Sequence, residues 1–192
     1  MNEPSRLPRS SELMSRNDSA LLVVDVQEKL VPLIKNHEQL VWNAGRLLDG
    51  AKVLGVPARA CEQYPAKLGP TVETLNQRLA EIPAKLTFSC AECVELFQSL
   101  SEQGIRSILV AGIETHVCVQ QTVLDLLANG FQVHVAVDAV GARFAIDHDT
   151  ALRRMESSGV TLTTTESALF EWCERAGSAE FKQISKLVRE TK

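Results

Sequence analysis

The chain has 192 residues, 45% of them hydrophobic and 23% charged, and a net charge of −4. This is the profile of one globular domain with a substantial core. The acidic balance, with no basic run, argues against nucleic acid or an anionic membrane as the main partner, and no apolar stretch approaches the ~20 residues that span a bilayer.

Residues 1–18 stand apart, with Pro4, Pro8, Ser5, Ser10, Ser11 and Ser15 and little hydrophobic periodicity. They predict a flexible N-terminal arm or a strap, followed by a single domain over 19–192. The Arg and Ser content of the arm loosely suggests a transit peptide, but Glu3 and Glu12 weigh against it, so a cytoplasmic location is expected. Strand-like runs follow at about 20–26, 57–62, 106–111, 133–138 and 160–165. They alternate with helical patterns near 37–54, 71–80, 91–103, 116–129, 147–158 and 167–175. This βαβ rhythm predicts an α/β, three-layer Rossmann-like fold, with a mainly parallel sheet of about six strands between two helical layers. Gly55, Gly104, Gly130 and Gly159 each follow a helical segment, where a left-handed cap is expected.

Three positions in this frame carry chemistry. The apolar run Ala20-Leu-Leu-Val-Val ends in Asp25, which is how a central parallel strand delivers a carboxylate to the carboxyl edge of a sheet. Lys85 lies in a short apolar stretch, Ala84-Lys-Leu-Thr-Phe88; taken alone it reads as a solvated lysine. Cys118 follows a buried strand, one turn into a helix whose N-cap is predicted at Thr115. Free N–H groups and the macrodipole at that end would favour a thiolate and could hold an oxyanion, although a single Cys there also fits a small buried hydrophobe. On the same helix, Val119, Val123, Leu126 and Leu127 should face the core, with Cys118, Gln121, Thr122 and Asp125 along a more polar side.

Asp25 in VVDVQ, Lys85 in KxxFS and Cys118 in GIETHVCV, in this order, resemble the isochorismatase-like cysteine hydrolases from about Ala20 to about Leu169. The resemblance is nearest to the isochorismatase domain-containing branch, through Glu62-Gln-Tyr-Pro, Gly112-Ile-Glu-Thr-His and the run from Gln132 to Ala139. It implies a catalytic triad: Cys118 as nucleophile, Asp25 as its base, and Lys85 as the cation that keeps Asp25 ionised and lowers the thiol pKa. It also implies a cis peptide bond at Ile113–Glu114, with the N–H groups of Glu114 and Cys118 as an oxyanion hole. The expected reaction is hydrolysis of a small amide or related C–N bond through a thioester on Cys118. Vinyl-ether hydrolysis of the isochorismatase type and a noncatalytic binding or assembly module stand as alternatives. The family frequently assembles, so a homo-oligomer, dimer or tetramer, is expected.

Related nicotinamidases bind a metal through an Asp-x-His-x-x-His segment, where this chain reads Cys61-Glu-Gln-Tyr-Pro-Ala-Lys-Leu-Gly without a histidine. No metal and no cofactor are expected. Of the four histidines, His37 reads as a helix-entry surface residue and His134 as a satisfied structural one, while His116 is a pocket residue or a rival base. Gln27, Glu62, Tyr64 and Phe88 are candidate pocket residues for a small-molecule substrate; Asp138 supports the site or caps the following loop, with Arg143 nearby, and neither is assigned a chemical role. Cys90-Ala-Glu-Cys93 has CxxC spacing but reads as structural or incidental rather than redox-active. Five cysteines and no apolar signal segment point to a reducing compartment.

Overall fold

The computed structural model describes residues 7–190; the first part of the predicted arm, residues 1–6, lies outside them. Six strands form one sheet: β1 (Ser19–Val24), β2 (Ala58–Gln63), β3 (Ala84–Lys85), β4 (Ser107–Ile113), β5 (Gln132–Gly141) and β6 (Thr161–Thr163). The order is β3-β2-β1-β4-β5-β6, and every neighbouring pair is parallel. The α-helices among the described residues are α1 (His37–Leu54), α2 (Pro65–Leu68), α3 (Glu73–Asn76), α4 (Val94–Glu102), α5 (Gln120–Ala128), α6 (Ala145–Ser157), α7 (Thr165–Cys173) and α8 (Ala179–Arg189).

β1 explains the layering. All six of its residues are buried, because successive side chains enter opposite faces of the sheet and both faces are covered. Leu21 and Val23 join Leu109, Ala111 and Ala136 beneath α1, α7 and α8, where Leu47, Leu169, Trp172 and Ile184 complete one core. Ala20, Leu22 and Val24 join Ile108, Val110, Val133 and Val135 beneath α4, α5 and α6, with Leu100, Val123, Leu126 and Met155. The result is the three-layer Rossmann-like α/β fold.

The chain winds outward from β1 through β2 to β3, then returns to the other side of β1 for β4, β5 and β6. The order therefore reverses between β1 and β4, and their carboxyl ends flank the crevice where open α/β sheets bind ligands.

Several predicted elements differ in extent. The helix expected over 71–80 shrinks to α3, because Thr71 is held extended: it pairs with Gln27 in an antiparallel bridge and its N–H is taken by the Glu62 carboxylate. The helix expected over 91–103 divides into a 3₁₀ turn, Cys90–Glu92, and α4, with the break at Cys93 (φ −79°, ψ 60°). The short α2, β3 and α8 were not predicted. β3 is two residues long, too short to show a period. α8 buries Ile184 and packs Phe181, Leu187 and Val188 against the first core.

Residues 9–15 lie along α7. Met14 is buried, its N–H donates to Glu171 Oε2 (2.9 Å), and Arg9 donates to the carbonyls of Met14 (2.8 Å) and Glu171 (2.7 Å). His134 of β5 is buried, its Nδ1 has no protein partner among the described residues, and burial lowers its pKa. His37 starts α1 half-buried, with Nδ1 3.0 Å from the Ile34 carbonyl.

Candidate active site

Asp25 leaves the end of β1 with φ 53°, a left-handed conformation that Asp tolerates better than most residues, held by its N–H donating to the Cys61 carbonyl (3.1 Å). Its side chain is fully buried and faces Lys85, whose Nζ donates to Asp25 Oδ2 at 2.8 Å; both side chains have 0% exposure. The ammonium also donates to Gln63 Oε1 (2.8 Å) and the Phe88 carbonyl (3.0 Å). A lysine on the edge strand thus crosses beneath β2 to reach the central strand. The expectation of a solvated Lys85, had it stood alone, does not hold, because these acceptors and the Thr87 carbonyl (3.4 Å) replace its water.

Cys118 follows β4. The helix it sits in opens at Glu114, whose extended backbone (φ −85°, ψ 143°) makes it the N-cap in place of Thr115. Thr115 is unavailable for capping, since its Oγ1 pairs with His148 Nδ1 at 3.0 Å. The first turn is wide: the Val119 N–H donates to the Glu114 carbonyl five residues back (3.2 Å) before α5 continues. Cys118 is 6% exposed and part of the second core, alongside Val119, rather than on a polar stripe. Of the residues assigned to that stripe, Gln121 and Asp125 are exposed, whereas Thr122 is buried and accepts from the Cys90 N–H (2.8 Å). The Ile113–Glu114 peptide bond is cis.

The electrostatics are those of a dry, mutually dependent group. Burial raises the Asp25 pKa above its ordinary value; Lys85 opposes this, as does a hydrogen bond from Cys118. Asp25 Oδ1 itself is buried with no donor at normal hydrogen-bond geometry, so the adjoining thiol is a weak partner at most. Burial would depress Lys85, but the Asp25 charge prevails and its pKa is raised. Cys118 is pushed well up, first by burial, then by the Asp25 charge, against the pull of Lys85. The lowered thiol pKa expected from the sequence is therefore corrected: an adjacent carboxylate in a low dielectric holds the proton on sulfur.

Gln63 was missed. Its Oε1 lies within 2.8 Å of Lys85 Nζ and 4.0 Å of Cys118 Sγ, and its Nε2 donates to the Leu86 carbonyl (2.8 Å). The strand period held the signal, because Gln63 is two residues from Cys61, which belongs to the same core as Cys118. Gln27 is also structural here. It is fully buried, donating to the carbonyls of Gln63 (2.9 Å) and Gly69 (2.6 Å) and accepting from the Gln63 N–H (2.8 Å), so it orients Gln63. Glu62 points to the opposite face, where its carboxylate accepts from the Thr71 N–H (2.5 Å). Tyr64 and Phe88 are 45% and 52% exposed, leaving both free to meet a ligand. His116 turns toward α6, with Nε2 3.9 Å from Asp147 Oδ2.

Arg143 and Asp138 have different partners. Arg143 grips the Glu114 carboxylate through its backbone N–H (3.1 Å) and Nε (3.1 and 3.0 Å). Asp138 instead braces the scaffold, accepting from Thr165 N–H (2.8 Å) and Oγ1 (3.0 Å) and from Asn43 Nδ2. Gly112, just before the cis bond, has φ 130°, and a Cβ there would collide with the Val24 backbone. Only glycine lets β1 and β4 approach this closely at the crevice.

The isochorismatase domain model matches residues 19–167. The chain is 37% identical over 177 residues to isochorismatase domain-containing protein 1 of Danio rerio, covering 92% of this chain and 62% of that protein. It thus spans somewhat less than two thirds of that relative's length. It is 41% identical over 173 residues to isochorismatase domain-containing protein 2 of Homo sapiens, covering 90% and 83% respectively. Among solved structures, one described as MAR1 ribonuclease from Caenorhabditis elegans superposes with a TM-score of 0.87 at 37% identity, covering 93% of each chain. On fold, matched domain and relatives together, the chain belongs to the isochorismatase family.

Proposed function

We propose that the protein hydrolyses a small amide or related C–N bond with Cys118 as nucleophile, Asp25 as proton carrier and Lys85 as the fixed countercharge. The observation that supports this most is the burial of a carboxylate, an ammonium and a thiol together at the crevice between β1 and β4. Because the resting thiol keeps its proton, activation is coupled to attack. Asp25 takes the Sγ proton as sulfur bonds to the carbonyl carbon, and Lys85 stabilises the carboxylate until then. The N–H groups of Glu114 and Cys118 would receive the oxyanion, with Arg143 steadying Glu114. As the tetrahedral adduct collapses, the C–N bond breaks and Asp25 returns the proton to the departing nitrogen. Water, deprotonated by Asp25, then attacks the thioester, releasing the acid and restoring the thiol.

A second reading has a specific observation in its favour. A raised Asp25 pKa suits proton donation to a vinyl ether, which needs no thioester. Hydrolysis of both substrate classes by Cys118→Ala and Asp25→Asn proteins separates the readings. Loss in both variants supports the thioester route, whereas survival in Cys118→Ala with loss in Asp25→Asn assigns vinyl-ether chemistry. Ribonuclease activity, carried by the name of the C. elegans protein, is disfavoured by the net charge of −4 and the near-complete burial of Cys118. RNA left intact by the protein is the expected result. The reading further includes a cytoplasmic homo-oligomer.

A further inference from the structure

Three more cysteines gather on the β2 side of the sheet, outside the candidate triad. Cys61, on β2, is buried, and its Sγ donates to Cys93 Sγ at 3.6 Å; Cys90 is fully buried beside them. Cys93 occupies the joint between the Cys90–Glu92 turn and α4, is half-buried, and lines a surface cavity with Arg59, Pro83, Glu92 and Leu96. The CxxC spacing is thus misleading about partnership, since the sulfur that Cys93 meets comes from 32 residues earlier in the chain.

We propose that Cys61 and Cys93 form an oxidisable pair, in which Cys93 reacts with a hydroperoxide and Cys61 closes the disulfide. Cys93 is the accessible member and the acceptor of the S–H···S contact; Cys61 is its buried donor. The contact with Cys61 lowers the Cys93 pKa, while contacts with Cys90 first and Cys93 second, together with burial, raise that of Cys61, so thiolate character falls to the half-buried sulfur. In the first step the Cys93 sulfur attacks a peroxide oxygen and the O–O bond breaks. This gives a sulfenic acid, and the departing oxygen leaves with the thiol proton as water or alcohol. In the second step Cys61 sulfur attacks Cys93 sulfur, the S–O bond breaks, and water leaves. The two thiols lose two electrons, and the peroxide is reduced by two. Cys93 lies at a joint rather than within a helix, so it can move the short distance that separates contact from bond. The product would tie β2, whose Cys61 carbonyl holds the Asp25 N–H, to the turn that follows the Lys85–Phe88 segment.

The reduced full-length protein is titrated with hydrogen peroxide and followed by intact mass without reductant, then by peptide mapping. The expected result is loss of two hydrogen masses, reversed by dithiothreitol, with the link mapped to Cys61–Cys93. Cys93→Ser, at a half-buried site, should fold by circular dichroism and form no intramolecular bond. Cys61→Ala should instead accumulate a dimedone-trappable sulfenic acid on Cys93. In unoxidised protein, iodoacetamide should modify Cys93 about tenfold faster than Cys61. A link mapped to Cys90–Cys93, first labelling by dimedone at Cys118 or Cys173, or no mass loss at all would each overturn the proposal.

Discussion

Replacing Lys85 by Met removes the countercharge of Asp25 while retaining most of the apolar volume of the stem. Asp25 has 0% side-chain exposure, so it cannot recover the lost interaction from water. It therefore takes up a proton. Holding neutral at pH 7 a carboxyl whose ordinary value is 3.8 costs about 4 kcal/mol, at about 1.4 kcal/mol per pH unit. That figure is a ceiling on the electrostatic loss, because burial already raises Asp25 in the wild type and the variant no longer buries an ammonium. The sign follows from proton counting. With its folded pKa raised further, Asp25 in the variant binds a proton that the unfolded chain has released, so the variant loses stability as pH rises above the unfolded-chain value, and its deficit against the wild type widens above the wild-type folded value. Lys85 adds no slope near neutrality, since its own raised pKa gives a contribution that is lost only at strongly alkaline pH. Urea denaturation of both proteins at several pH values from about 5 to 8 measures the deficit. It should widen toward alkaline pH by up to about 1.4 kcal/mol per unit. A deficit that stays constant over this range would refute the coupling of Lys85 to Asp25.

Cys118 should be alkylated slowly at neutral pH, with a rate still rising above about pH 8, because burial and Asp25 hold its proton. Asp25→Asn should accelerate that reaction, because it removes the charge that helps hold the proton on sulfur; an unchanged rate would contradict that assignment. Gly112→Ala places a methyl against the Val24 backbone at φ 130°, and should destabilise by more than about 2 kcal/mol in urea or prevent folding. Wild-type stability there would mean that β1 and β4 can separate. Arg143→Ala, at a side chain 48% exposed, should cost less than about 1 kcal/mol of stability. It should nevertheless lower kcat about tenfold by freeing Glu114, an effect partly rescued by Lys. Unchanged kcat would remove Arg143 from the site.

What was legible in the sequence followed from local signals. Long apolar runs such as Ala20–Val24 gave the central strands, and the carboxylate after that run marked the crevice. β3 was not legible as a strand, since two residues carry no period and its pairing with β2 is a tertiary fact. Lys85 could be placed only through a motif for the same reason: its acceptors come from the residue after β1, from β2 and from its own following loop. Gln63 was hidden between two more conspicuous neighbours, Glu62 and Tyr64, although alternation from Cys61 pointed it inward. The raised Cys118 pKa was misjudged because helix-end position was weighed without burial. In this fold the desolvation of the thiol beside Asp25 outweighs the favourable cation. The Cys61–Cys93 contact, spanning strand and turn, had no sequence signature.

The central claim is that Cys118 carries the acyl group. The most direct test is rapid acid quenching of the protein during turnover of a panel of small amides, carbamoyl compounds and activated esters, followed by intact mass and peptide mapping. The account predicts a hydroxylamine-sensitive acyl adduct on Cys118 that is absent from Cys118→Ala and lost as turnover ends. Turnover of such a substrate with no adduct on Cys118, or turnover that persists in Cys118→Ala, would contradict it.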